Sequence, residues 1–92
     1  MKKNFFASML PSGGIEITER ERPDEKRLTL ELSDFGWPDL NEKNNIVKFI
    51  KEEIAKEFNC KFVEITLEYI KSEFDEVVDK IIANNSKPKT NK

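Results

Sequence analysis

The run GIEITERERPDEKRLTLELS, residues 14–33, limits the fold more than any other part of the chain. Ile15 and Ile17 alternate with Glu16 and Thr18, and Leu28, Leu30 and Leu32 alternate with Thr29, Glu31 and Ser33. Successive side chains leave a pleated backbone on opposite sides, so period two with one polar face marks a half-buried strand. Pro23-Asp24, inside the charged segment 19–27, suits the central pair of a type I turn. The two strands therefore read as an antiparallel hairpin with a charged tip.

The preceding stretch, MKKNFFASMLPSGG, is open to two interpretations. Its lysines and apolar residues resemble the start of a secretion signal, which needs about 7–15 unbroken apolar residues and then a small-residue cleavage site. Here Ser8 interrupts the run and Pro11 stops it. As a strand, it points Phe5, Ala7 and Met9 one way and Phe6, Ser8 and Leu10 the other, with the Pro-Ser-Gly-Gly run as a turn. The strand is the expectation. Elsewhere the sequence has nothing near the roughly 18 apolar residues of a membrane span. Its single cysteine, Cys60, has no partner for an internal disulfide. A cytoplasmic protein with no membrane partner is expected.

After the hairpin, FGWPDL breaks the alternation and a helix follows. Asp39 with Glu42 offers a capping box, and Asn41 is a rival cap. Ile46, Phe49, Ile50, Ile54 and Phe58 recur at three- and four-residue steps as one apolar stripe, with Lys48, Glu52 and Lys56 on the wet side. Asn59 can end the helix in a left-handed conformation.

CKFVEITLEYI, residues 60–70, fits two periods. Val63, Ile65, Leu67 and Tyr69 alternate with Glu64, Thr66 and Glu68, while Val63, Leu67, Ile70, Phe74, Val77 and Ile81 also step as a single long helix. The β-branched residues and the like-charged Glu64–Glu68 pair, unfavourable at helical spacing, favour a strand. Ser72 with Asp75 then caps a second helix bearing Phe74, Val77, Val78, Ile81 and Ile82. The expected fold class is α+β: a two-layer β-β-β-α-β-α chain, with a four-stranded mixed sheet and two helices on one face. Residues 1–85 form a single domain, followed by a disordered, Lys-rich tail over 86–92 that begins in the polar run NNSKPKTNK. That tail is either a solubilising end or a weak basic arm.

The net charge of −2 conceals an asymmetry. Of 16 basic residues, Lys2, Lys3, Lys87, Lys89 and Lys92 lie at the two ends, leaving 11 against 18 acidic residues in the body between. A body so acidic repels phosphate backbones, whose binding relies on clustered Lys and Arg. The abundance of Lys, Asn and Ile suggests an AT-rich coding sequence.

Catalytic chemistry is narrowed by exclusion. The chain has no histidine and only one cysteine, which removes the commonest general base and the usual zinc ligands. It also lacks the glycine-rich phosphate loops and the GxSxG elbow. Gly13 and Gly14 belong to a turn, and Cys60 beside Lys61 reads as a small buried residue rather than a reactive thiolate. Glu73, Asp75, Glu76 and Asp79 favour the helix N-terminus and a solvated face. No catalytic residue, cofactor or metal site is expected.

Surface chemistry is left. With helices on one side, the open sheet face would carry Glu16, Thr18, Thr29, Glu31, Glu64, Thr66 and Glu68. That is either a solvated acidic face or a docking surface for a partner protein with a basic patch. Phe35 and Trp37, between Gly36 and Pro38, either fold over the core edge or stand out as an anchor. The hairpin tip adds Arg20 and Arg22, with Arg27 beside it. The leading expectation is a small non-enzymatic protein-binding module, for instance a regulator or inhibitor from a phage or mobile element. A homodimer through a free sheet edge is a further possibility. The alternatives are a nucleic-acid accessory protein using the Lys-rich ends and hairpin arginines, and a small enzyme built on Glu64, Glu68, Glu73 and Asp75.

Overall fold

The structure, a computed structural model, describes residues 2–86. Strand β1 (Lys3–Met9) turns into β2 (Ile15–Glu19), and β3 (Arg27–Leu30) completes the hairpin. A 3₁₀ turn (Leu32–Phe35), helix α1 (Lys43–Glu57), a second 3₁₀ turn (Phe62–Glu64), strand β4 (Ile65–Tyr69) and helix α2 (Lys71–Ser86) follow. The sheet runs β3-β2-β1-β4, antiparallel across the first three strands and parallel between β1 and β4. The stretch that resembled a secretion signal is thus a central strand, with neighbours on both sides.

Strand parity fixes the layers. Phe5, Ala7, Ile15, Ile17, Leu30 and Ile65 point to one side of the sheet and are buried. Ile46, Ile50 and Ile54 of α1, and Phe74, Val77, Val78 and Ile81 of α2, cover them. Each isoleucine so enclosed contributes about 1.5–3 kcal/mol relative to exposure. Phe58 meets Phe5 edge to face with ring centroids 4.9 Å apart, and Phe74 stacks on Tyr69 at 4.0 Å. Helix α1 links β3 at one edge of the sheet to β4 at the other.

Turn chemistry follows the sequence closely. Glu25 N–H bonds to Arg22 O at 3.2 Å, which puts Pro23-Asp24 at the centre of the hairpin turn. Gly13, at φ +99°, closes the first turn by donating to Leu10 O at 2.9 Å. Asn59 takes the left-handed conformation (φ 53°) after α1, and Cys60 N–H reaches back to Ala55 O at 3.1 Å, a Schellman closure.

Four expectations need correction. Ser72 does not cap α2: the helix already includes Lys71, and Phe74 N–H bonds to Ile70 O at 2.9 Å. Asp39 and Asn41 do not cap α1: the N-cap position is Glu42, which makes no side-chain cap bond. Asp39 is instead the centre of a second Pro-Asp turn, with Leu40 N–H on Trp37 O at 3.0 Å. Strand β4 begins at Ile65 rather than near residue 61, because Phe62–Glu64 coils into a 3₁₀ turn that leaves Val63 85% exposed. Helix α2 continues through Ser86, so the first residues of the polar run are helical. The disorder expected of the remaining tail falls on residues 87–92, outside the described residues.

Candidate protein-docking groove

The open face of the sheet is assembled differently from the expected acidic platform. Glu16 on β2 and Glu68 on β4 do share it, but opposite Ser8 and Phe6 of β1 respectively, so they stand two strand spacings apart and two residues out of step, about 12 Å in all. Each has an arginine: Arg27 Nη1 lies 3.4 Å from Glu16 Oε2, and Arg20 Nε lies 3.4 Å from Glu68 Oε1. Arg20 also stands over the ring of Phe6, 5.7 Å from its centroid. Glu31 lies beyond the end of β3, where Ser12 Oγ donates to its carboxylate at 3.2 Å. Glu64 sits in the 3₁₀ turn and accepts Lys61 N–H at 3.4 Å, a bond that lowers its pKa. Arg22 stays at the hairpin tip, 3.8 Å from Glu25.

Of the carboxylates considered for acid–base work, Glu64, Glu68 and Asp75 are held by separate partners, and Glu73 lies in the first turn of α2. Asp75 receives Lys71 Nζ at 2.7 Å and Lys43 Nζ at 3.0 Å, which lowers its pKa and raises that of Lys43. Burial pushes the Cys60 thiol up, away from thiolate reactivity. Among the described residues no group of three or more His, Cys, Asp or Glu could hold a metal ion, and no helix is long and apolar enough to cross a membrane.

Phe35 and Trp37, two residues apart, have opposite fates. Phe35 is 1% exposed and packs edge to face on Phe49, with centroids 5.4 Å apart, whereas Trp37 is 58% exposed. The loop between them is closely tied. Asn85 Nδ2 donates to Phe35 O and to Leu40 O, and Asn45 Nδ2 donates to Asp39 O at 2.9 Å. Buried Leu40 pins the far side. Trp37 is exposed, but its backbone is fixed.

Beside Trp37, a groove of about 520 Å³ runs between β3 and α1. Leu28, Trp37 and Phe49 give it an apolar wall, and Asp34, Glu53 and Lys56 line it too. Glu53 and Lys56 pair with each other at 3.3 Å. A smaller hollow on the other side of Trp37 holds Asp39, Leu40 and Phe49 and no cation. At the Trp37 end Asp34, Asp39 and Glu52 stand with Lys48, which lines an adjoining hollow with Asp39, so carboxylates outnumber cations there. Sequence reasoning missed Phe49 as a wall, because its period placed it in the core stripe. It missed Asn85 as a tether, because polar residues near a chain end resemble a tail.

Along the groove, β3 is an edge strand: no described strand pairs with its far side. Arg20 N–H bonds to Asn4 O, and Leu10 N–H to Gly14 O, both at 2.8 Å. The even-numbered residues of β2 thus bond to β1 and the odd-numbered ones to β3. In the β2–β3 register, Ile15 pairs with Leu30 and Ile17 with Leu28. Antiparallel pairs alternate between bonded and non-bonded, so Arg27 and Thr29 direct their N–H and C=O groups outward. The next outward donor, Glu31 N–H, is already occupied by Asp34 Oδ2 at 2.8 Å.

In comparisons with known protein families, with curated proteins and with solved structures, no match to this chain is found. The geometry defines the class: a small α+β domain with an exposed tryptophan held beside a strand edge that no described strand pairs.

Proposed function

We propose that the protein is a non-catalytic protein-binding module that docks a basic partner against the Trp37 loop and the β3–α1 groove. One observation carries the proposal: Trp37 is 58% exposed on a loop bonded to two helices. A tryptophan held in place contributes a large contact area with little loss of chain entropy, which is why tryptophan is enriched among interface anchors. Asp34 and Asp39 beside it supply the attraction for a basic partner. Nucleic-acid binding draws less support, since Arg20, Arg22 and Arg27 already face Glu68, Glu25 and Glu16. The single cysteine fits work in a reducing cytoplasm.

The test is recovery of tagged wild-type and Trp37→Ala protein from the producing cells, followed by native mass spectrometry. A partner held by wild type and lost by Trp37→Ala, and shown after purification to shift Trp37 emission, supports the module. Recovery of both proteins only as monomers, at every salt concentration, rejects it.

A further inference from the structure

We infer that the partner enters as an extended segment that adds a strand to β3, with its apolar side chains against Leu28, Trp37 and Phe49 and a basic residue at the Trp37 end. This inference rests on the protein-binding reading above and specifies its mode.

The backbone gives the first argument. Arg27 and Thr29 direct a donor and an acceptor each to the free side of β3, at the spacing an antiparallel strand requires. The open edge ends just past β3, where the cap of the 3₁₀ turn takes the next outward donor. Asp34 Oδ2 sits on Glu31 N–H at 2.8 Å, where a neighbouring strand's carbonyl oxygen would otherwise sit. Edges are blunted by short strands, lysine, proline or a bulge; β3 is short, at four residues, but its stretch Leu28, Thr29 and Leu30 carries no lysine, proline or bulge.

The groove gives the second. Alternate side chains of an added strand would fall on the α1 side, where Leu28, Trp37 and Phe49 form the wall of the 520 Å³ space. Backbone pairing supplies affinity and the pockets for alternate side chains supply selectivity, as in other strand-addition complexes.

Charge gives the third and sets the direction. Strand β3 runs from Arg27 toward the Trp37 loop; at its start Lys26 and Arg27 are paired with Glu57 and Glu16, while Asp34 and Asp39 lie at its far end. An antiparallel segment begins at the Trp37 end, which places its basic residues at its N-terminal side. There they meet the two aspartates and the face of the indole ring.

The probe is the acetylated, amidated hexapeptide Lys-Lys-Val-Thr-Val-Thr, titrated into the full chain and followed by amide NMR shifts and Trp37 emission. Two further forms are N-methylated at both valines or at both threonines, and a fourth replaces the lysines with glutamates. The expected result is a shift of the Thr29 amide and of Trp37 emission, with binding abolished by one methylation pattern and kept by the other. Thr29→Pro, which removes an outward N–H without breaking a ladder bond, should weaken binding about tenfold, and the glutamate form should not bind. Strand addition is overturned if both methylated forms bind equally while Trp37 responds. The protein-binding reading survives that result. It is also overturned if none of the four peptides binds at millimolar concentration, in which case the Trp37→Ala comparison alone decides the broader reading. Equal binding of the glutamate form removes the basic partner. A concentration-dependent dimer in sedimentation that Thr29→Pro dissolves makes a second copy of the chain the occupant and ends the peptide proposal.

Discussion

Asn85 donates its side-chain amide to the carbonyl oxygen of Phe35 at 3.0 Å, joining residues 50 positions apart. The same nitrogen reaches Leu40 O at 2.8 Å, so one side chain closes both ends of the loop that presents Trp37. Asn85→Ala leaves two part-buried carbonyls without this donor, at a cost of about 1–3 kcal/mol. Thermal unfolding should shift down by several degrees, and Trp37 anisotropy should fall as the loop loosens. Unchanged values in both would mean that the loop holds itself.

The two aromatics of this loop should separate cleanly in a denaturation series. Phe35→Ala empties a fully enclosed site and should cost about 3–5 kcal/mol. Trp37→Ala removes an exposed side chain and should stay within about 0.5 kcal/mol of wild type. Urea unfolding of both variants measures the contrast. Equal losses would show that Trp37 supports the core.

Gly14 is fixed by crowding rather than by its dihedral angles. A Cβ there would lie 2.4 Å from Leu30 O and 3.1 Å from Glu31 Cα, both backbone atoms that cannot swing aside. Gly14→Ala should therefore force β2 and β3 apart and cost about 1–3 kcal/mol, as other overpacked sites do. Full stability in urea would show that the edge can shift without penalty.

The Asp75 cluster predicts a pH window. Its bonds from Lys71 and Lys43 lower the native pKa of Asp75, so its contribution is present above the unfolded value and is lost as pH falls through the depressed native one. Bonding to Asp75 raises the native pKa of Lys43, so that contribution is full below the unfolded value and is lost as pH climbs through the raised one. Melting temperatures of wild type and Asp75→Asn should differ most in the interval between and converge at both extremes. A constant gap at all pH values would point to packing instead.

The hairpin and both helix stripes were legible in the sequence because parity and the 3.6-residue period are local properties. They assigned Ile15, Ile17, Leu28 and Leu30 to one face, and Ile46, Ile50 and Ile54 to another. Strand β4 was legible only from Ile65 onward, since the Glu64 carboxylate folds back onto Lys61 N–H and coils the residues before it. Alternation carries no trace of such a side-chain bond. The Trp37 loop was half legible: Pro38-Asp39 repeats the pair that turns the hairpin at Pro23-Asp24, and that signal outweighed the capping role expected of Asp39. Charge was the least legible. Arg20 and Glu68 meet only because β4 lies beside β1, so the carboxylates expected to form a common acidic face are already paired or turned elsewhere.

The pleat that sends Leu28 and Leu30 inward is also what leaves the Thr29 amide facing out. A deletion or insertion of one residue within this strand would swing the leucines into water in the same step that turned the amide away. Drift in sequence length is therefore not free to erase the docking edge while sparing the interior. A lineage that keeps this molecule folded keeps that edge on offer.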